Sequence, residues 1–247
     1  MQPMQPTPPA QPAHTVTAVA HRGDPYRFRE NTVPSLRSAL GRGADAVEID
    51  VRVTRDGVPV LLHDDTLERL WGHEAPLAAL TAAEVAEVTE GGVPTLAEAL
   101  DAVAERDAGA RVLIDLPGAS KAAVSRVVAV VRDRGAGDRV YYTGAAQAML
   151  SVRAADRDAE IALTWTTLAA PRPVLLDAVA PRWLNYRFGL VSRDLADHVH
   201  AAGLLLSVWT PDTGRSMRRL LAMGVDGITT NRVDVLHALR TPRGDAG

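Results

Sequence analysis

The chain has 247 residues, 47% of them hydrophobic and 23% charged, enough to bury a large core in one domain or two small ones. Its 27 basic and 30 acidic residues leave a net charge of −3 with no basic block, which argues against a nucleic-acid partner. Cysteine is absent, so disulfides and thiolate metal sites are excluded, and any metal must be held by oxygen or imidazole.

Residues 1–14 are rich in proline and glutamine, with five prolines in the first thirteen positions. They read as a disordered tail without the apolar centre of a signal peptide. No apolar run reaches the roughly 18 residues a membrane span needs. The expected location is therefore the cytoplasm. From there the chain alternates two textures. Short β-rich runs are expected at 15–20, 46–53, 58–63, 111–116, 139–143, 160–165, 182–187, 204–209 and 226–230. Alanine-rich stretches with helical spacing are expected as helices at 32–41, 81–88, 95–107, 119–134, 145–155, 172–179, 192–202, 212–223 and 232–240. The strands are short and nearly continuous in apolar residues, as in a parallel sheet covered on both faces. Strand–helix alternation argues for βαβ units.

Eight such units fit a (β/α)₈ TIM barrel in a single domain over 15–241, with 242–247 loose at the end. The run at 58–63 is the extra strand. It follows 46–53 after the turn TRDG, too closely for a crossover helix, and reads as part of the second βα loop. A doubly wound open sheet is the competing architecture, but no GxGxxG follows the first strand and no P-loop is present.

In a barrel the active site lies at the C-terminal strand ends. The first strand ends at His21 and Arg22. The second carries Glu48 and Asp50, two apart and therefore facing the same way. Two converging carboxylates repel unless a cation is shared, and hard oxygen ligands suggest Mg²⁺ or Ca²⁺. An equally open reading pairs the acids with an arginine, Arg22 or Arg52. The extra strand ends at His63-Asp64-Asp65, and two histidines at strand ends can divide acid and base roles. Asp115, among Leu113, Ile114 and Leu116, is expected to be buried and to need a partner: a metal shared with Glu48 and Asp50, a helix cap or a salt bridge. Later strand ends offer Trp165, Asn185, Trp209 and Asn231. Trp209 is a candidate pocket wall, though plain packing is the commoner role for such an aromatic. Thr229-Thr230-Asn231 reads as an N-cap for the last helix.

The blocks HRG…ENT (21–23, 30–32), VEIDVRVTRDGVPVLLHDDTLER (47–69), GVPTLAEAL (92–100) and GVDGITTN (224–231), in this order, resemble the glycerophosphodiester phosphodiesterase family. The resemblance implies a TIM barrel, a divalent cation, Mg²⁺ or Ca²⁺, and hydrolysis of a small-molecule glycerophosphodiester to sn-glycerol 3-phosphate and an alcohol. It implies His21 and His63 as the acid–base pair, Arg22 as the phosphate clamp, and Glu48 and Asp50 as metal ligands. Asp115 can still reach that metal, and Trp209 at its strand end is expected beside the substrate phosphate. Glu30 and Asn31 are implied as supports of the loop after the first strand. Two positions depart from the family pattern. Asp115-Leu116-Pro117 stands where Glu-x-Lys is usual, so a positive charge near the phosphate is missing and Arg22, or a residue such as Lys121, must serve. Asn231 stands where an acid is common. The segment after His63 is shorter than usual in the family, which implies a more open pocket. Two other readings compete: a lysophospholipase D-like or sphingomyelinase D-like phosphodiesterase, which also uses two histidines and an Asp as third acid, and a weakened family member acting as a binding protein.

Overall fold

A computed structural model of the chain describes residues 16–240. The expected tail at 1–14 and the expected loose end at 242–247 lie outside the described residues. Eight parallel strands close into a barrel: β1 Thr17–His21, β2 Ala46–Val53, then, beyond an insertion, β6 Arg111–Asp115, β7 Val140–Gly144, β8 Glu160–Trp165, β9 Trp183–Arg187, β10 Leu205–Trp209 and β11 Gly227–Thr230. β1 pairs with both β2 and β11, which closes the ring and leaves no open edge. The expected (β/α)₈ architecture is thus observed.

The helices cover the outside. They are α1 Val33–Gly41, α4 Leu96–Arg106, α5 Lys121–Asp133, α6 Ala146–Ala155, α7 Pro173–Val179, α8 Arg193–Ala201, α9 Gly214–Met223 and α10 Val233–Arg240. Their starts are chemically encoded. Thr32, Ser120, Ser192 and Thr213 each accept a backbone N–H of the first turn, and Thr95 with Glu98 forms a reciprocal capping box. Val47, Ile49 and Val51 of β2 turn outward into the continuous core shared with Leu36, Leu100 and Val127 of these helices.

The extra run at 58–63 becomes β3, Pro59–Leu61, antiparallel to β2. The segment after His63 is more structured than its sequence suggests. A hairpin of β4 Thr66–Leu67 and β5 His73–Pro76 encloses the short helix α2 Glu68–Trp71, and α3 Ala82–Val88 follows. The hairpin strands are too short to show a period-2 pattern, so they escape the sequence reading. This insertion has its own small core of Leu62, Leu67, Leu77, Val85 and Val93.

Inside the barrel the period of two does the sorting. Val19, Ala46, Leu113, Tyr141, Ala162 and Trp183 pack into one apolar layer. Two residues further along each strand come His21, Glu48, Asp115, Thr143, Thr164 and Asn185, which form the next layer toward the C-terminal mouth. The register places His21 opposite Glu48, Asp50 opposite Asp115, and Thr164 opposite Asn185. Among the described residues no helix is long and apolar enough to cross a membrane.

Candidate active site

His21, Arg22, Glu48, Asp50, His63, Asp115 and Trp209 line one cavity of about 350 Å³ at the C-terminal mouth. The turn after β1 builds its first corner. Arg22 and Asn31 both have a φ of 55°, unusual for residues with a side chain. Their backbones hold each other, since Asn31 N donates to Arg22 O at 3.0 Å. Gly23 allows the turn: at its φ of 87° a Cβ would lie 2.4 Å from Ser35 Oγ. Ser35 occupies that space to bind the turn, accepting from Asp24 N at 2.7 Å and donating to Arg22 O at 3.0 Å.

The carboxylates converge as their alternation requires. Ligand atoms of Glu48, Asp50 and Asp115 lie within 4.8 Å of one another. Glu48 accepts from Arg22 N at 2.9 Å, and Asp115 accepts from Leu116 N at 2.8 Å. Arg22 Nε stands 2.9 Å from Asp50 Oδ2, so the arginine beside the acids is Arg22. Arg52 points elsewhere, pairing with Asp65 and donating to the His63 carbonyl at 2.7 Å. Three acids against one arginine leave an excess of buried negative charge. Burial, then the charges of Asp50 and Asp115, push the Glu48 carboxyl well above its usual range. Burial and Asp50 likewise push Asp115 up to about 7. Hard oxygen donors at this spacing fit the coordination shell of one divalent cation, whose opposite ligands lie roughly 4–5 Å apart. The cation would also supply the charge the site lacks.

The expected supports act as such. Asn31 Nδ2 donates to Asp50 Oδ2 at 2.8 Å, and Asn31 Oδ1 accepts from Asp50 N at 3.2 Å. Glu30 accepts from Arg22 Nη1 at 2.9 Å. Burial would raise Glu30, but Arg69 and Arg22 outweigh it and hold its carboxyl low. Trp209 reaches the cavity wall, and its indole N–H is buried without an acceptor among the described residues. Lys121 opens α5 and is not part of the cavity lining, so Arg22 is the cation at the acids. Pro117 lines the cavity, as its sequence position implies.

Four residues gain partners that sequence reasoning did not assign. Asn231 is no simple helix cap: its Oδ1 lies 2.8 Å from His21 Nδ1, and its Nδ2 donates to Asp212 Oδ2 at 2.8 Å. A carboxylate only accepts, so Asp212 fixes which end of the amide faces the imidazole. His21 Nδ1 therefore carries the proton. Its Nε2 is left as a lone pair toward the cavity, 4.0 Å from Glu48 Oε2. Burial and then Arg22 push the His21 pKa down. His63 is held differently, with Nδ1 2.7 Å from Asp64 Oδ1. Arg69 Nε donates to Asp64 Oδ2 at 2.5 Å, while its Nη2 donates to Glu30 Oε1 at 2.6 Å. The Arg69 hydrogen bond, with His63, holds the Asp64 carboxyl at about 2. Asp64 was visible beside His63. Asp212, in a loop read as the start of a helix, carries no sequence signal of its role.

A barrel whose mouth joins three carboxylates, an arginine and two oriented histidines is the framework of a metal-assisted hydrolase acting on a phosphate ester. The chain matches the model of the glycerophosphoryl diester phosphodiesterase family over residues 21–235, and it belongs to that family. It is 26% identical to the glycerophosphodiester phosphodiesterase of Caldanaerobacter subterraneus over 88% of this chain and 95% of that one. A Mycobacterium tuberculosis protein named "Probable glycerophosphodiester phosphodiesterase 2" is 32% identical over 92% of each. The fold is that of a phosphodiesterase from Oleispira antarctica solved with the product sn-glycerol-3-phosphate, with a TM-score of 0.83 and 22% identity over 90% of this chain and 95% of that one. A glycerophosphodiester phosphodiesterase from Thermotoga maritima aligns with a TM-score of 0.79 and 21% identity over 92% and 99%.

Proposed function

We propose that the protein hydrolyses glycerophosphodiesters to sn-glycerol 3-phosphate and an alcohol, with Glu48, Asp50 and Asp115 holding Mg²⁺ or Ca²⁺. The observation that carries this reading is the common cavity of the three carboxylates, Arg22 and the two Nδ1-tethered histidines. The Oleispira antarctica protein's complex with sn-glycerol-3-phosphate supports the choice of product.

A bound divalent cation supplies positive charge against the phosphoryl oxygens as the transition state forms. The residues do the rest. Arg22 offers a planar fork to the phosphate from the same side as the acids. Its Nε is buried against Asp50 and its Nη1 donates to Glu30, which leaves Nη2 for the substrate. Trp209 lines the cavity and offers its ring as a wall beside the substrate. His21, neutral with its lone pair at Nε2, takes the proton of the attacking oxygen as its bond to phosphorus forms, whether that oxygen is water's or a substrate hydroxyl whose cyclic product water then opens. His63, backed by a carboxylate, gives a proton to the departing alkoxide as the P–O bond breaks. The presence of these side chains in one cavity supports the enzymatic reading over the binding-protein one, although the family's usual lysine is replaced by Pro117.

The test is release of sn-glycerol 3-phosphate from glycerophosphocholine with Mg²⁺ or Ca²⁺, and its loss with EDTA. His21→Ala and His63→Ala are each expected to lower kcat by about 10²–10⁴-fold with the fold intact. Turnover unaffected by EDTA, or by either substitution, overturns the assignment. Faster cleavage of lysophosphatidylcholine than of glycerophosphocholine would favour the lysophospholipase D-like reading.

A further inference from the structure

A second groove lies against the active-site cavity. It is the larger of the two, about 590 Å³, and shares Leu116, Pro117 and Gly118 with the cavity as a common wall. It runs between the end of β2, the turn into β3 and the first turns of α5.

Its charge is uneven. Arg52, Arg55 and Arg126 line it against a single acid, Asp65. Asp65 is taken by Arg52, and Arg55 pairs with Glu84 at 3.1 Å. Arg126 has no hydrogen bond or ion pair among the described residues. Arg126 is exposed, and its guanidinium lies over Gly57, where a Cβ would come 2.5 Å from Cζ. The first turn of the 13-residue α5 contains no acid, so the partial positive charge of its N-terminus adds to the same field. The groove therefore holds an uncompensated cation beside a phosphodiester site.

The substrate has two arms. One is the glycerol that stays with the phosphate, and the other is the alcohol that leaves. Leu116, Pro117 and Gly118 line both the cavity and the groove, so the two are neighbours along one stretch of chain. Arg52 sits in the groove and donates to the carbonyl of His63, so the groove borders the histidine that protonates the leaving alcohol.

We propose that this groove receives the alcohol arm of the diester and selects alcohols that carry a second phosphate, through Arg126. This rests on the phosphodiesterase reading above. Arg126 is a specificity-determining residue, and it takes no part in the bond-breaking step.

The experiment compares kcat/KM on glycerophosphoinositol and glycerophosphoinositol 4-phosphate, the same alcohol without and with a second phosphate. Wild type is expected to favour the phosphorylated substrate by about fivefold at low salt, a preference that shrinks in roughly 0.5 M salt as the charges are screened. Arg126→Gln should remove the preference and Arg126→Glu reverse it, both leaving kcat/KM on glycerophosphoinositol within about twofold of wild type. Equal rates on the two substrates, or a preference that survives Arg126→Glu, overturns the proposal while leaving the activity standing. Turnover of neither substrate, nor of glycerophosphocholine, overturns the activity reading and this one with it.

Discussion

Asp212 touches neither the acids nor the cavity, yet it decides which nitrogen of His21 carries a proton. It accepts from Asn231 Nδ2 at 2.8 Å, and from Asn231 N at 2.9 Å and Thr230 Oγ1 at 3.0 Å. That leaves Asn231 Oδ1 as the only face the amide can show to His21. Asp212→Asn keeps the shape but brings a donor, so the Asn231 amide can turn and the imidazole can take the other tautomer. The expected result is a fall in kcat of about 10²-fold with KM within about twofold, and a changed ¹⁵N signature for His21. Unchanged kcat with an unchanged spectrum would show that the tether does not set the proton. His63 needs no such intermediary, because Asp64 is its neighbour in sequence and accepts from it directly. The site was legible in the sequence where chemistry is written into a strand. Glu48, Asp50 and Asp115 follow from alternation, because a strand has only two faces. Asn231 and Asp212 come from different βα loops, and their meeting with His21 is set by barrel closure, which no local pattern records.

At the scale of elements, the insertion between β2 and α4 is held to the turn after β1 by Arg69. Its guanidinium spans Asp64, which holds His63, and Glu30, which holds Arg22. Arg22 and His63 thus share one fastener, although they sit on different loops. Arg69→Ala is expected to lower kcat by roughly tenfold through misplacement of His63, with circular dichroism unchanged. Arg69→Lys, a point charge without the fork, should recover only part of the loss. Full recovery by lysine would mean that charge alone, not the bridge, is what the loops need. The turn itself is a test of backbone demand. Gly23→Ala forces a Cβ against Ser35 at a positive φ and is expected to destabilise the fold by about 1–3 kcal/mol, read from urea unfolding. All nine expected strands and all nine expected helices are present, with ends shifted by one or two residues where caps such as Thr95 and Thr32 set the boundary. The hairpin of β4 and β5 was missed, because its pairing depends on the small core of the insertion rather than on its own few residues.

For the whole molecule, the acidic centre makes stability depend on pH in a direction opposite to that of an ordinary surface. In the metal-free protein Glu48 and Asp115 are held above their usual values, by burial first and by neighbouring carboxylates second, with Asp115 at about 7. Between roughly pH 4 and pH 7 the folded chain therefore binds more protons than the unfolded chain. The linkage relation then makes stability fall as pH rises: the contribution is complete below about pH 4 and lost by about pH 7. Asp64 and Glu30 are held low, so they act in the other sense and in a lower window, their contribution disappearing only as pH drops from about 4 toward 2. A divalent cation needs the acids deprotonated, so its stabilisation grows over the very range where the metal-free fold weakens. The metal-free protein is expected to melt at least about 4 °C lower at pH 7.5 than at pH 5.5, and saturating Mg²⁺ or Ca²⁺ should abolish or reverse that difference. Asp115→Asn should flatten the metal-free profile, since it removes the titrating group while keeping its shape, and should weaken the response to the cation. His21, held below its usual value by burial and then by Arg22, works in the opposite sense in this range. A metal-free melting temperature that rises from pH 5.5 to 7.5 in the His21→Ala variant as well would show that Arg22 alone compensates the three carboxylates.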